Sequence, residues 1–164
     1  MPGAALAVAR DGKVLYANGF GWADDKNATH YRNKFRIPSV SKSITLTCVL
    51  RLVENGSLDL DEKVFSDRLL GRFLHSNFTD TTGRVHKVTV YHLLTHSNGF
   101  PESDIQEFQE MLNAEYLSWA VEAYAPLQLE PDTKYVYCNF GFFLLRRIVE
   151  GIHDKKAQQK DRSN

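Results

Sequence analysis

A serine followed three residues later by a lysine is the arrangement in this sequence that is best suited to chemistry. The two residues are Ser39 and Lys42, and they come directly after Pro38. If this segment opens a helix, the lysine lies one turn further along the same face as the serine. The hydroxyl then has an amine within reach and unpaired backbone N–H groups beside it. Such a pair can activate a serine nucleophile without a histidine, provided that the amine loses its proton.

The spacing of Ser39 and Lys42 is weak evidence when it is taken alone. With ordinary composition, a serine three residues before a lysine occurs by chance about once in a chain of this size. A helix-capping serine beside a solvated lysine explains the same pattern. The surrounding sequence therefore has to decide between the two interpretations.

The residues around Ser39 predict the helix that this chemistry requires. Pro38 favours an extended or turn conformation and a helix start at or just after Ser39. The segment 41–55 contains neither proline nor glycine, and Gly56 stands at the usual C-terminal capping position. Apolar residues recur at helical spacing on one predicted side of this helix, at Leu46, Val49, Leu50 and Val53.

A tyrosine and an asparagine two residues apart form a second candidate group. The pattern occurs three times, beginning at Tyr16, Tyr31 and Tyr137. Tyr16 falls in a predicted strand and Tyr31 in a polar loop, whereas Tyr137 falls at a strand-to-helix junction after a Pro-Asp turn. Side chains at such a junction point towards a cleft, so we place the second group at Tyr137 and Asn139.

The other segments predict one hairpin and several helices. Asp11–Gly12 between two apolar runs is a strong hairpin signal, and Thr89 is a plausible N-cap. The predicted segments are a strand at 4–10 paired with one from 14, and helices at 64–74, 90–95, 103–112, 116–124 and from Asn139 onwards. Phe140, Phe143, Leu144 and Ile148 form the expected buried stripe of the last helix. The polar tail 153–164 is predicted to be disordered.

Composition excludes several classes of function. Twenty basic and twenty acidic residues balance, so no electrostatic footprint of a nucleic-acid-binding protein is present. No apolar run is long enough to span a membrane. Cys48 and Cys138 are too few for a disulfide framework or a zinc site, so we expect no metal and no cofactor. No signal peptide is visible, which leaves the localisation open: cytoplasmic by default, mitochondrial or secreted if the N-terminus is incomplete.

Five motifs in order resemble the serine β-lactamase-related family. This family includes class C β-lactamases, penicillin-binding DD-peptidases, related esterases and the animal β-lactamase-like proteins. The motifs are those beginning at Pro2–Gly3–Ala4, at Phe35–Arg36–Ile37–Pro38–Ser39, at Leu58–Asp59–Leu60–Asp61, at Val88–Thr89–Val90 and at Tyr137–Cys138–Asn139. The resemblance extends from about residue 2 to 151. It implies an α/β (α+β) fold of the β-lactamase and DD-peptidase type.

The resemblance also implies a role for each candidate residue. Ser39 would be the acylated nucleophile, with its backbone N–H as half of the oxyanion hole, and Lys42 would be its base partner. Tyr137 would shuttle the proton, and Asn139 would orient the substrate and contact the lysine. The family's chemistry is hydrolysis of an amide or ester through an acyl-enzyme, on a small-molecule or peptide substrate.

The sequence departs from the family pattern after residue 151. A third motif, Lys-Thr-Gly or His-x-Gly on a late strand, is expected there together with further strands and helices, and none is found. We therefore expect residues 1–152 to form the front part of the domain, with a hairpin at 1–22, a mainly helical part at 35–152 and a tail at 153–164. Association with a C-terminal portion would complete it.

Three functional hypotheses follow. The first is a serine hydrolase of this family, and the second is a catalytically inactive truncated homologue with a binding or interaction role. The third is a cysteine enzyme that pairs Cys138 with His92 or His96, which we discount because nothing near Cys138 is expected to lower the pKa of its thiol. We assign the two histidines to packing or hydrogen bonding.

Overall fold

The chain divides into two units, Met1–Pro38 and Ser39–Asn164. The computed structural model describes residues 3–71, 82–102, 114–124 and 127–161. The helix predicted at 103–112 lies outside the described residues, as do residues 72–74 of the helix predicted at 64–74.

The first unit is built on a two-stranded antiparallel sheet of β1 (Gly3–Arg10) and β2 (Lys13–Gly21). Asp11 and Gly12 join the strands with φ angles of 50° and 73°. Two successive positive φ angles are what the tight hairpin turn requires, and Asp-Gly tolerates them at low cost. The predicted hairpin is confirmed.

The second unit is helical over most of its described length. Its helices are α1 (Ser41–Glu54), α2 (Val90–Leu94), α3 (Ala114–Tyr124) and α4 (Asn139–Asp161). A short 3₁₀ turn, Pro38–Val40, leads into α1. At the other end of α1, Gly56 has a φ of 68° and its N–H donates to the carbonyl of Val53 at 3.0 Å. The predicted boundaries of this helix are confirmed within one residue.

Helix α2 is capped by the residue that the sequence indicates. The Thr89 hydroxyl accepts a hydrogen bond from the N–H of His92 at 3.3 Å, and the Thr89 N–H donates to Nδ1 of His92 at 3.1 Å. These reciprocal bonds form a capping box in which a histidine replaces the usual glutamate or glutamine. His92 is therefore used in local structure.

One hydrophobic core joins the helices of the second unit, and both α1 and α2 pack against α4. The predicted stripe of α4 is buried at Phe140, Leu144 and Ile148, while Phe143 is partly buried against the core. The largest side chains that are almost fully buried are Phe100, Phe140, Leu70, Leu93, Leu144, Leu145 and Ile148. Among the helices of the described residues, none is both long and apolar enough to cross a membrane.

The predicted apolar side of α1 is only partly correct. Val49 is fully buried and Val53 packs against the core, but Leu46 and Leu50 remain 38% and 45% exposed. The core lies on the side of Val49 and Leu52, so the helix is rotated away from the predicted centre of the stripe. Ile44 is exposed on the outer side of α1, so this helix has apolar residues around most of its circumference.

Two other local predictions are wrong. Residues 64–70 form successive turns rather than a helix. The N–H of Leu70 donates to the carbonyl of Val64, six residues earlier, which is not the spacing of a helix. Just before these turns, Lys63 pairs with Thr89 in an isolated β-bridge. The tail predicted to be disordered is helical to Asp161. The sequence after Gly151 contains neither proline nor glycine and includes three lysines, two glutamines and one alanine, which are good helix formers, so α4 continues.

The segment that carries Tyr137 runs beside the turn that follows α2. The N–H of Asp132 donates to the carbonyl of Ser97 at 2.8 Å, and the N–H of Val136 donates to the carbonyl of His96 at 2.8 Å. The backbones approach closely at Gly99, where an added Cβ would lie 2.3 Å from the carbonyl oxygen of Leu129. Glycine is needed at this position because its φ is also 83°.

We expect Gly99→Ala to destabilise the fold more than Gly56→Ala. Both glycines have positive φ, which costs an alanine about 1–2 kcal/mol, but nothing lies within 4 Å of the Cβ position at Gly56. Only Gly99→Ala adds a clash with backbone. Chemical denaturation of both variants measures the difference. Equal losses in the free energy of unfolding would contradict the close approach of Gly99 and Leu129.

Candidate active site

Ser39 lies in the 3₁₀ turn that leads into α1, and Lys42 lies in the first turn of that helix. The serine is exposed and the lysine is half-buried. Nζ of Lys42 donates to Oγ of Ser39 at 3.4 Å, which is a long hydrogen bond. The spacing of three residues therefore brings the amine to the hydroxyl, as the sequence predicts.

The second candidate pair lies next to the first. Oη of Tyr137 and Oγ of Ser39 are 2.8 Å apart, and either atom can be the donor. Nζ of Lys42 donates to Oδ1 of Asn139 at 2.6 Å. All four predicted side chains are thus brought together within the second unit, although 98 residues separate Ser39 from Tyr137.

The start of α4 explains the placement of Tyr137 and Asn139. Asn139 is the first residue of the helix, and Tyr137 lies two residues before it, in a segment without regular secondary structure. Because α1 packs against α4, the N-terminal ends of the two helices can contribute to one site. The other two tyrosine–asparagine pairs lie in the first unit, in β2 and in the segment near Tyr31.

Two aromatic rings lie beside the lysine. Nζ of Lys42 is 4.9 Å from the centre of the Tyr137 ring and 5.6 Å from the centre of the Phe142 ring. Ring faces at this distance stabilise a cation. The sequence prediction missed Phe142, although its position three residues after Asn139 on α4 places it on the same side of the helix.

The hydroxyl of Tyr137 is made more acidic by its neighbours. Burial raises the pKa of the phenol, but the interaction with Lys42, the hydrogen bond with Ser39 and the positive charge of Lys42 together outweigh it. The pKa of Tyr137 therefore lies below its ordinary value of 10.0. A lowered pKa makes the phenolate easier to form, which suits a group that accepts a proton from Ser39.

We expect Lys42→Met to move the pKa of Tyr137 upward. Without the amine, the two influences of Lys42 that lower this pKa are lost, while burial still raises it. A ¹³Cζ-tyrosine NMR titration, with Tyr137→Phe to assign the signal, measures the shift. An unchanged titration would show that Lys42 does not act on the phenol.

The N-terminus of α1 adds a positive potential beside Ser39. Its N-cap residue is Val40, whose side chain has no hydrogen-bond acceptor to offer the first N–H groups. The first turn of a helix carries partial positive charge on such groups. A negative oxygen that develops on a substrate next to Ser39 would be stabilised there.

Cys138 does not have the environment of a catalytic thiol. The residue is fully buried, and its N–H donates to Nδ1 of His96 at 3.0 Å. A substrate cannot reach a buried sulfur, which argues against the cysteine-enzyme hypothesis. Across the described residues, no three His, Cys, Asp or Glu side chains come together in a way that would hold a metal ion.

The chain is similar to known proteins over nearly its whole length. The family model described as Beta-lactamase matches residues 1–160. A penicillin-binding protein of Bacillus subtilis is 28% identical over 156 residues, which are 90% of this chain and 32% of that protein. Esterase EstB of Burkholderia gladioli is 41% identical over 99 residues, which are 59% of this chain and 24% of the esterase.

A solved structure supports the same assignment. The octameric penicillin-binding protein homologue from Pyrococcus abyssi aligns with a TM-score of 0.70 at 29% identity, covering 93% of this chain and 35% of that one. The chain thus spans about a third or less of the proteins that it matches here. The fold is of the β-lactamase and penicillin-binding protein type, in a family of serine hydrolase-like proteins. The chain belongs to the beta-lactamase family.

Proposed function

We propose that this chain carries the acylation site of a serine hydrolase that acts on an amide or ester. The observation that carries the proposal is the convergence of Tyr137 Oη at 2.8 Å and Lys42 Nζ at 3.4 Å on Ser39 Oγ. A nucleophile, a proton acceptor and a cation within hydrogen-bonding reach are the parts that acyl transfer needs. Family membership supports the same chemistry.

In the proposed reaction, Oγ of Ser39 forms a bond to the carbonyl carbon of the substrate while its proton passes to the oxygen of Tyr137. The positive charge of Lys42 favours the phenolate that accepts this proton. Tyr137 then delivers the proton to the leaving nitrogen or oxygen as its bond to carbon breaks. Water hydrolyses the resulting ester of Ser39 by the reverse sequence of proton transfers.

Asn139 has two parts in this proposal. Its Oδ1 accepts the hydrogen bond from Lys42 at 2.6 Å and so holds the amine next to Ser39. Its amide nitrogen is the group that would orient a substrate carbonyl. The N–H of Ser39, in the turn that leads into α1, would serve as one oxyanion donor.

The proposed substrate class is a small-molecule or peptide amide or ester. The relatives support both kinds of bond, since one is named a penicillin-binding protein and another an esterase. We further propose that a C-terminal portion completes the catalytic domain. The chain spans about a third of the length of the penicillin-binding protein relative, which supports this. The exposed side chains of Ile44 and Leu50 on α1, at 58% and 45%, support it as well.

Covalent labelling tests the proposal. The chain is incubated with a fluorophosphonate and, separately, with a penicillin, and the adduct is located by peptide mass spectrometry. We expect modification of Ser39. Modification of another serine alone would refute the assignment.

The second candidate function is that of an inactive truncated homologue with an interaction role. The apolar side chains of Ile44 and Leu50, which are exposed on α1, support an interaction role. The same probes distinguish the candidates when they are also applied to a version extended at the C-terminus. Labelling of the extended version alone would support completion by that portion, and labelling of neither would support the inactive homologue.

A further inference from the structure

We propose that His96 is a positioning residue that holds Tyr137 in place by binding the backbone on both sides of it. The carbonyl of His96 accepts the N–H of Val136 at 2.8 Å, and its Nδ1 accepts the N–H of Cys138 at 3.0 Å. Tyr137 is the residue between these two bonds. The inference rests on the proposed function in one respect, because it is there that the phenol of Tyr137 has to be held next to Ser39.

The imidazole also supports the tyrosine ring directly. The ring centres of His96 and Tyr137 are 4.6 Å apart, and those of His96 and Phe142 are 5.1 Å apart. Phe142 in turn lies beside the amine of Lys42. His96 therefore contacts both rings that flank the lysine, and it does so from the buried side, with only 9% of its surface exposed.

The backbone of His96 is held in an unfavourable conformation. Its φ is 56°, in the left-handed region that residues other than glycine rarely adopt. Such a conformation persists where the surrounding structure imposes it, and it is common at functional sites. In this conformation, both the carbonyl and the side chain of His96 accept hydrogen bonds from the segment 136–138.

The protonation state of His96 suits an acceptor. Burial, followed by the charge of Lys42, lowers the pKa of the imidazole below its ordinary value. Because Nδ1 accepts an N–H, the neutral ring carries its proton on Nε2. Protonation of Nδ1 would remove the bond to Cys138.

Two substitutions of His96 distinguish the role of its Nδ1 acceptor from the role of its backbone conformation. Asparagine and glycine both tolerate a positive φ, but only asparagine places an oxygen where Nδ1 was. His92→Ala is the matched control, because it removes another imidazole whose Nδ1 accepts a backbone N–H, at Thr89 in the cap of α2. The control is expected to reduce stability without affecting Tyr137.

Four measurements on the full chain test the inference. Imidazole ¹⁵N NMR of the wild type should show Nε2 protonated at neutral pH. In His96→Gly, the amide exchange of Cys138 should accelerate about tenfold or more, the pKa of Tyr137 should shift towards 10.0, and fluorophosphonate labelling of Ser39 should slow by about 10²-fold. In His96→Asn, all three should stay near the wild-type values.

The outcomes distinguish this inference from the proposed hydrolase. If neither the wild-type chain nor its C-terminally extended version is labelled at Ser39, the hydrolase proposal fails, while the exchange and titration data still decide the role of His96. The inference is overturned if His96→Gly leaves the exchange of Cys138 and the titration of Tyr137 unchanged. It is also overturned if His96→Asn behaves like His96→Gly. The same holds if His92→Ala shifts the pKa of Tyr137 as much as His96→Gly does.

Discussion

Replacing Ser39 with alanine is expected to abolish labelling by acylating probes and any associated hydrolysis. The hydroxyl is the only group of this side chain that can form the covalent bond, and alanine removes it without adding volume. Loss of the nucleophile leaves no route to an acyl-enzyme, so the expected effect is complete loss of the adduct. Intact-protein mass spectrometry after incubation with a fluorophosphonate measures it.

Ser43→Ala is the matched control for this experiment. Ser43, which lies in α1, is also an exposed serine and stands four residues after Ser39, but it precedes no lysine at the same spacing. We expect this variant to be labelled at the wild-type rate. Equal labelling of wild type and Ser39→Ala would remove Ser39 from its proposed role.

Replacing Lys42 with methionine is expected to slow labelling of Ser39 by up to about 10²–10⁴-fold, the usual contribution of a positioned acid–base group, because Tyr137 acts as that group only with the support of Lys42. Methionine preserves much of the side-chain volume but removes the amine. The change deletes the donor to Oγ of Ser39 and the donor to Oδ1 of Asn139. It also removes the charge that favours the phenolate of Tyr137.

Lys63→Met provides the comparison, because Nζ of Lys63 donates to the carbonyl of Lys87, outside the candidate site. Labelling rates of both variants are measured at equal probe concentration, after circular dichroism has shown that each is folded. We expect Lys63→Met to retain the wild-type rate. A Lys42→Met variant that reacts as fast as Lys63→Met would show that the amine does not assist Ser39.

Apolar side chains that are exposed on α1 offer a surface that a further segment of protein could bury. Ile44 and Leu50 on α1 are 58% and 45% exposed. Burial of apolar area contributes about 25 cal/mol per Å² to folding, so this surface is available to a further segment of protein. This is the physical basis for proposing that a C-terminal portion completes the domain.

Local sequence was sufficient for the features that depend on neighbouring residues. Asp11–Gly12 has the conformational freedom that a two-residue hairpin turn needs, and Thr89 has the hydroxyl that caps α2. Pro38 and Gly56 mark the limits of α1 in the same way. The choice of Tyr137 among three similar tyrosines also came from local context, because it stands where an extended segment meets a helix.

The wrong predictions concern contacts that local patterns do not encode. The spacing of Leu46, Val49, Leu50 and Val53 indicated an apolar side, but α1 is apolar around most of its surface, so periodicity could not say which side the core covers. The tail after Gly151 lacks a core-forming pattern, yet its backbone remains helical to Asp161 because helix propensity does not require burial.

The sequence by itself determined the family, the helix that begins just after Ser39 and bears Lys42, and the identity of the four candidate side chains. Only the tertiary structure decided that Tyr137 lies 2.8 Å from a serine 98 residues away, that Phe142 flanks the lysine, and that His96 binds both neighbours of the tyrosine. The physical reason is that turns, caps and helix limits depend on residues within one or two turns of each other. Distances across the site depend instead on how α1 and α4 pack, which the whole core sets.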